Sequence, residues 1–163
     1  MIEPFTSDPM SMSLFDPNVD DPTHFGFVLT VFLDSQPTQT SLFTITKTTQ
    51  RNVYNNARMR ATIPNPSSDV ILYDSHGVLT EASIHNFAVH RSGTWVTPAA
   101  STGCLPGVLR RWLLEQGRIR EDHEGVLTKD RLNEGEWVLL FNGVQGCRLG
   151  KFTPRTLHAC HAP

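Results

Sequence analysis

Short apolar runs rich in β-branched and aromatic residues recur along the chain. Three of them, FGFVLTVFL at 25–33, DVILY at 69–73 and WVLLF at 137–141, each end in an Asp-Ser or Asn-Gly pair. Such runs are typical of buried strands, and NFAVHR and TWVTP around a Ser-Gly turn predict a hairpin. Because these strands outnumber the predicted helices and are interleaved with them, the sequence predicts a mixed-sheet domain of the α+β or α/β class.

Two helices are predicted between these strands. Residues 50–61 place Tyr54 and Ala57 on one apolar face before PNPSS ends the pattern, and Tyr54 is therefore interpreted as a core tyrosine. Residues 105–116 form the second helix, which has a Pro-Gly pair at its start and a glycine after its end.

Composition and charge argue against several classes of protein. The chain has 163 residues, 39% of them hydrophobic, and a net charge of -2, which suits one domain with a substantial core and gives no footprint for nucleic acid. It has no apolar run of about 18 residues for a membrane span, and MIEPFTSDPMSM lacks the pattern of a secretory signal. We divide the chain into an irregular arm over 1–24, a domain over 25–151 and a tail over 152–163.

Cysteine usage indicates the compartment. The three cysteines, Cys104, Cys147 and Cys160, lack the C-x-x-C spacing, and their odd number argues against a disulfide framework. A reduced, cytoplasmic location is therefore predicted. The tail sequence HACH at 158–161 contains metal-ligand types without spaced partners, so no metal site is predicted.

Two single residues are candidates for catalysis. Lys47 lies between two threonines at the end of a strand-like segment, where it is either a surface residue or, beside a cation such as Arg51, a nucleophile that forms Schiff bases with carbonyls. Glu81 follows a tight turn at Gly77. It is either a solvated loop carboxylate or a carboxylate that faces a protonated ring nitrogen.

Two turns are candidates for anion binding. The second helix begins at Gly107, Val108 and Leu109, where free backbone N–H groups and the helix dipole favour a phosphate. Asn142 and Gly143 end a buried strand and could reach another side of the same anion. Taken singly, these features are also those of an ordinary helix start and an ordinary strand-ending turn.

The order of these features resembles one enzyme family. The segments FTITKTTQRNVYNNAR at 43–58, GVLTEASIHN at 77–86 and NGVQG at 142–146, with the Leu-Pro-Gly helix start between them, resemble fold-type IV pyridoxal-phosphate enzymes. These are the class IV aminotransferases and the 4-amino-4-deoxychorismate lyases, and the fungal-type lyases are the most similar. The resemblance covers about residues 34–151 and implies the larger C-terminal domain of the D-amino acid aminotransferase-like fold, a mixed sheet or pseudo-barrel with flanking helices.

The resemblance also implies a cofactor, pyridoxal 5'-phosphate, and residues that hold it. Lys47 matches the lysine that bonds the cofactor and moves a proton, and Glu81 matches the acid paired with the pyridine nitrogen. The phosphate is expected at Gly107, Val108, Leu109, Asn142 and Gly143. Asn86 is expected to brace the turn around Glu81, and Arg110 to steady the helix start.

Three functions remain open from the sequence. The first is a lyase that forms 4-aminobenzoate and pyruvate for folate biosynthesis, the second is a class IV aminotransferase, and the third is a repurposed domain without cofactor-dependent activity. A homodimer with a small-molecule substrate is expected. Two departures from the family are that no Lys or Arg precedes Lys47, where a smaller N-terminal domain is usual, and that Leu109 replaces a common hydroxyl residue.

Overall fold

The computed structural model describes residues 14–39, 51–62 and 67–154, so Lys47 lies outside the described residues. Within them are eight strands: β1 (Leu29–Leu33), β2 (Ser68–Tyr73), β3 (Leu79–Ala82), β4 (Asn86–Arg91), β5 (Thr94–Thr97), β6 (Arg120–Glu121), β7 (Trp137–Asn142) and β8 (Gly146–Phe152). The two α-helices are α1 (Asn52–Arg60) and α2 (Val108–Glu115), and short 3-10 helices span Pro22–Phe25, Ala100–Thr102 and Lys129–Arg131.

All eight strands belong to one sheet in the order β3-β2-β1-β8-β7-β4-β5-β6. The β1–β2, β1–β8 and β5–β6 pairs are parallel and the other pairs are antiparallel, so the sheet is mixed. The predicted fold class is thereby confirmed, and the β4–β5 hairpin lies where the sequence predicts it.

The sheet curls until its β3 edge meets the segment that follows β6. The N–H of Leu79 donates to the carbonyl of Leu127 at 3.0 Å, and the N–H of Lys129 donates to the carbonyl of Gly77 at 2.9 Å. Strands that alternate inward and outward side chains then enclose an apolar interior. This core includes Leu29, Val31, Ile71, Leu79, Phe87, Val89, Val96, Val138 and Leu140.

A second core lies between α2 and the outer face of the sheet. Phe15, from the predicted irregular arm, is only 2% exposed and packs there with Leu113 and Leu139. The indole N–H of Trp95 donates to the carbonyl of Phe15 at 2.9 Å. Residues 14 and 15 of the arm are therefore packed against the domain.

Two element boundaries differ from the sequence predictions for backbone reasons. The strand expected from residue 25 begins only at Leu29, since Pro22–Phe25 is a 3-10 helix and Gly26 follows it with φ +81°. The helix expected from residue 105 begins at Val108, after an extended Gly107. Pro106 disfavours helical backbone at Leu105, the residue before it, and the extended backbone of Gly107 moves the start to Val108. No helix of the described residues is long and apolar enough to cross a membrane.

Candidate active site

Glu81 is a buried strand residue and not a solvated loop carboxylate. It lies in β3 and is 4% exposed. The hydroxyl of Tyr54 donates to its Oε1 at 2.7 Å, and the backbone N–H of Leu105 donates to its Oε2 at 3.2 Å. Three separate parts of the chain, α1, β3 and the approach to α2, therefore meet at one carboxyl group.

The surroundings of Glu81 bring its proton affinity into the physiological range. Burial raises the pKa of Glu81 to about 7, while the hydrogen bonds from Tyr54 and Leu105 and the charge of Arg51 oppose this rise. Burial and the charge of Glu81 raise the pKa of Tyr54 far above its usual range, so its hydroxyl remains a donor. A carboxyl with this pKa can hold or release a proton near neutral pH, as acid–base groups in active sites do.

Tyr54 is the site residue whose part the sequence analysis missed. The tyrosine is buried, as its helical spacing predicts, but its hydroxyl belongs to the Glu81 site. Arg51 lies with its guanidinium carbon 5.1 Å from the centre of the Tyr54 ring and donates to the carbonyl of Ser83 at 2.5 Å. The chemistry of the residue could have indicated this part, because a buried tyrosine hydroxyl needs a hydrogen-bond partner.

The start of α2 offers unpaired backbone donors. Gly107 is the N-cap residue and gives no side-chain cap, and the first turn of the helix has no acidic residue. The N–H groups of the first helical residues, Val108 and Leu109, have no partner within the helix itself. Such a helix start favours an anion through these N–H groups and the helix dipole.

Asn86 and Arg110 fix the chain around this helix start. The Asn86 amide donates to the carbonyl of Leu105 at 2.8 Å, and a Cβ on Gly107 would overlap its Oδ1. Arg110 is 4% exposed and donates to the carbonyl of Pro98 at 2.8 Å and to Glu121 at 2.5 Å. Asn86 thus braces the residue that contacts Glu81, and Arg110 ties α2 to the sheet.

The turn between β7 and β8, residues 142–146, is shaped by its own asparagine. Oδ1 of Asn142 accepts from the N–H groups of Val144 and Gln145 at 2.9 and 2.7 Å, and its Nδ2 donates to the carbonyl of Ile84 at 3.4 Å. The side chain of Asn142 is therefore engaged within the turn and with the β3–β4 connection. Gly143 beside it has open space where a Cβ would lie.

One cavity joins the two turns. Its volume is about 560 Å³, and its walls include Val108, Leu109, Asn142 and Gly143 together with apolar residues of the second core, among them Phe15, Trp112 and Leu149. Four of the residues predicted to hold a phosphate thus border one space. Glu81 does not line this cavity, and its contact with Leu105 lies three residues before Val108, which does. Lys47 lies outside the described residues.

The described residues show no cluster of three or more His, Cys, Asp or Glu side chains that could hold a metal ion. Cys104 is a free, buried thiol and Cys147 a free, half-buried one. The HACH segment and Cys160 lie outside the described residues.

Two yeast proteins that are similar to this chain carry the name aminodeoxychorismate lyase. A candidate aminodeoxychorismate lyase from Schizosaccharomyces pombe is 42% identical over 134 residues, which are 80% of this chain and 58% of the relative. The aminodeoxychorismate lyase of Saccharomyces cerevisiae is 39% identical over 137 residues, 74% of this chain and 36% of the relative. The chain thus spans little more than half of one relative and about a third of the other.

Solved structures share the fold. The 4-amino-4-deoxychorismate lyase from Pseudomonas aeruginosa superposes with a TM-score of 0.59 at 21% identity, over 82% of this chain and 50% of that chain. A branched-chain amino acid aminotransferase from Thermobaculum terrenum superposes with a TM-score of 0.62 at 15% identity, over 77% and 43%. The family model for amino-transferase class IV matches residues 10–150, nearly the whole chain. This protein belongs to the aminotransferase class IV family.

Proposed function

We propose that this protein acts as a pyridoxal 5'-phosphate-dependent lyase that converts 4-amino-4-deoxychorismate into 4-aminobenzoate and pyruvate, a step of folate biosynthesis. The observation that carries the proposal is the buried Glu81 carboxyl with a tyrosine hydroxyl on one oxygen and a backbone N–H on the other. The names of the two yeast relatives support the lyase over the aminotransferase. A cytoplasmic homodimer is part of the proposal.

The described residues fit this cofactor at both of its polar ends. Glu81 is a buried carboxyl with a pKa of about 7 and neutral hydrogen-bond partners, which suits a protonated ring nitrogen. The uncapped start of α2 at Gly107 suits a phosphate, and the tight approach of Asn86 leaves no room there for a Cβ. Val108 and Leu109 would hold the phosphate by their N–H groups, and the turn at Asn142 and Gly143 would meet it from the other side.

Each residue would contribute a separate task. Bound pyridoxal phosphate supplies a ring that withdraws electrons from the substrate's amine-bearing carbon. Glu81 would hold a proton at the ring nitrogen, and Tyr54 and Leu105 would fix the position of its carboxyl group. The low exposure of Glu81 would keep water from this contact and would strengthen it. Lys47, assigned by the sequence resemblance alone, would bond the cofactor and move the proton needed when the enolpyruvyl group leaves.

The first experiment is a visible absorption spectrum with added pyridoxal phosphate. The chain has three lysines, Lys47, Lys129 and Lys151. We expect a lysine-dependent band that is lost in Lys47→Ala and kept in Lys129→Ala and Lys151→Ala, with borohydride fixing the cofactor on Lys47. A band equally strong in Lys47→Ala, or none in the wild type, would refute cofactor binding at this site.

A second experiment separates the lyase from the aminotransferase. The lyase should release 4-aminobenzoate and pyruvate in equal amounts from 4-amino-4-deoxychorismate without an added keto acid. Amino transfer to an added keto acid, with no pyruvate released from 4-amino-4-deoxychorismate, would instead identify an aminotransferase.

A further inference from the structure

A second buried carboxylate, Asp69, lies at the start of β2 and is fully buried. The hydroxyl of Ser83 donates to its Oδ1 at 2.5 Å, and Nδ1 of His85 lies 2.7 Å from its Oδ2. Arg58 of α1 approaches the same group, with Nη1 3.7 Å from Oδ1. Asp69 therefore holds two residues of the β3–β4 connection, residues 83–85, in place.

The network continues from the interior to the turn between β7 and β8. His85 is 4% exposed, and its other ring nitrogen, Nε2, lies 2.9 Å from the side-chain amide of Gln145. The amide oxygen of Gln145 faces this nitrogen, so Nε2 donates to it when it carries a proton. Gln145 itself is exposed, which makes this contact the outer end of the network.

The connection 83–85 touches the turn 142–146 at two points. Besides the His85–Gln145 contact, the carbonyl of Ile84 accepts from the Asn142 amide at 3.4 Å. The same connection begins two residues after Glu81. It therefore joins the proposed ring-nitrogen side of the site to the turn on the proposed phosphate side, and Asp69 anchors it from β2.

We propose that Asp69, His85 and Gln145 are positioning residues that hold the turn 142–146 relative to Glu81 and thereby set its affinity for the cofactor's phosphate. This inference rests on the proposed function. The three residues act through the turn, so their effect is confined to ligands that carry a phosphate. If these residues acted only on general stability, their loss would instead weaken the binding of ligands with and without a phosphate equally.

The test compares two ligands that differ only in the phosphate, pyridoxal 5'-phosphate and pyridoxal. Gln145→Ala removes the outer contact at an exposed position, and Gln36→Ala, at an exposed position in the loop after β1, is the matched control. One hydrogen bond corresponds to about fivefold in affinity. We expect Gln145→Ala to bind pyridoxal phosphate about fivefold more weakly, to bind pyridoxal as the wild type does, and to keep its unfolding midpoint.

Two results would overturn the inference: unchanged affinity for pyridoxal phosphate in Gln145→Ala, or an equal loss for both ligands. If the wild type binds neither ligand, the proposed function fails, and with it the claim about phosphate. Amide hydrogen exchange on the same samples then tests whether Gln145 holds the turn 142–146 in place. The N–H groups of Val144 and Gln145, which bond Asn142, should exchange several times faster in the variant, and unchanged exchange would refute the positioning role.

Discussion

Replacing Tyr54 by phenylalanine is the most direct test of how the protein controls Glu81. The change removes one hydroxyl and leaves the ring that packs with Ala57 in place. The hydroxyl donates to Glu81 at 2.7 Å, and this hydrogen bond favours the charged carboxylate. Its loss must therefore raise the pKa of Glu81 further above its ordinary range.

The expected size of the effect follows from the linkage between protons and stability. The pKa of Glu81 is about 7 in the folded protein and about 4.3 in an unfolded chain. The folded protein thus keeps a proton that the unfolded chain releases, and the contribution of Glu81 to stability falls as pH rises from about 4 to about 7. This fall is about 3–4 kcal/mol. Losing the hydrogen bond should raise the pKa of Glu81 by about one unit and extend the fall by about 1.4 kcal/mol.

The measurement is urea unfolding of the cofactor-free protein at pH 5 and pH 9. The free energy of unfolding of the variant is subtracted from that of the wild type at each pH. This difference removes the contribution of groups that titrate alike in both proteins. The stability deficit of Tyr54→Phe should be about 1.4 kcal/mol larger at pH 9 than at pH 5. The control is Tyr73→Phe, because Tyr73 is also buried and its hydroxyl is not among the described partners of Glu81. A deficit that is the same at both pH values would refute the assigned contact.

Three further predictions test other parts of the site. Glu81→Gln should lower turnover by about 100-fold or more while cofactor binding changes only a few-fold, as judged by steady-state kinetics and absorption titration. Gly107→Ala should cost about 1–3 kcal/mol in chemical unfolding, because its Cβ overlaps a neighbouring amide oxygen, whereas Gly143→Ala, with open space, should stay within about 0.5 kcal/mol. Arg110→Met should cost about 2 kcal/mol by removing the cation that contacts Glu121 and the donor to the carbonyl of Pro98, and adding Glu121→Gln should recover part of it.

The elements of the fold were predictable from the sequence because their signals are local. The strand at 69–73, the hairpin that follows Asn86 and the strand at 137–141 each carry their own apolar pattern and turn residues. Strand order was not predictable in this way. The parallel pair of β1 with β8 joins Leu29 to Gly150, and nothing near either residue indicates the other.

The candidate site likewise has features with local sequence signals and contacts without them. The helix start after Gly107 and the turn at Asn142 are short motifs, and Val108 and Leu109 of the first border the same cavity as Asn142 of the second. The contacts that position them connect distant residues: Tyr54 reaches Glu81 across 27 positions, and His85 reaches Gln145 across 60. Helical spacing predicts that Tyr54 is buried, but only the folded sheet determines which group its hydroxyl meets.

Two of the buried carboxyl groups, Asp69 and Glu81, differ in the partners that the described residues give them. Asp69 has the cation of Arg58 within 4 Å, a histidine ring and a hydroxyl, whereas the direct hydrogen-bond partners of Glu81 are a tyrosine hydroxyl and a backbone N–H, both neutral. A cation in direct contact stabilises a buried carboxylate most, and burial raises the pKa of Glu81 although the charge of Arg51 opposes the rise. A ligand that brought a protonated ring nitrogen to Glu81 would place a cation in direct contact with the carboxylate. Its binding would therefore lower the pKa of Glu81. Burial makes the charged form of this carboxyl unfavourable in the cofactor-free protein. A cationic ring would relieve this cost and a neutral ring would not, so the site would favour a cationic ring.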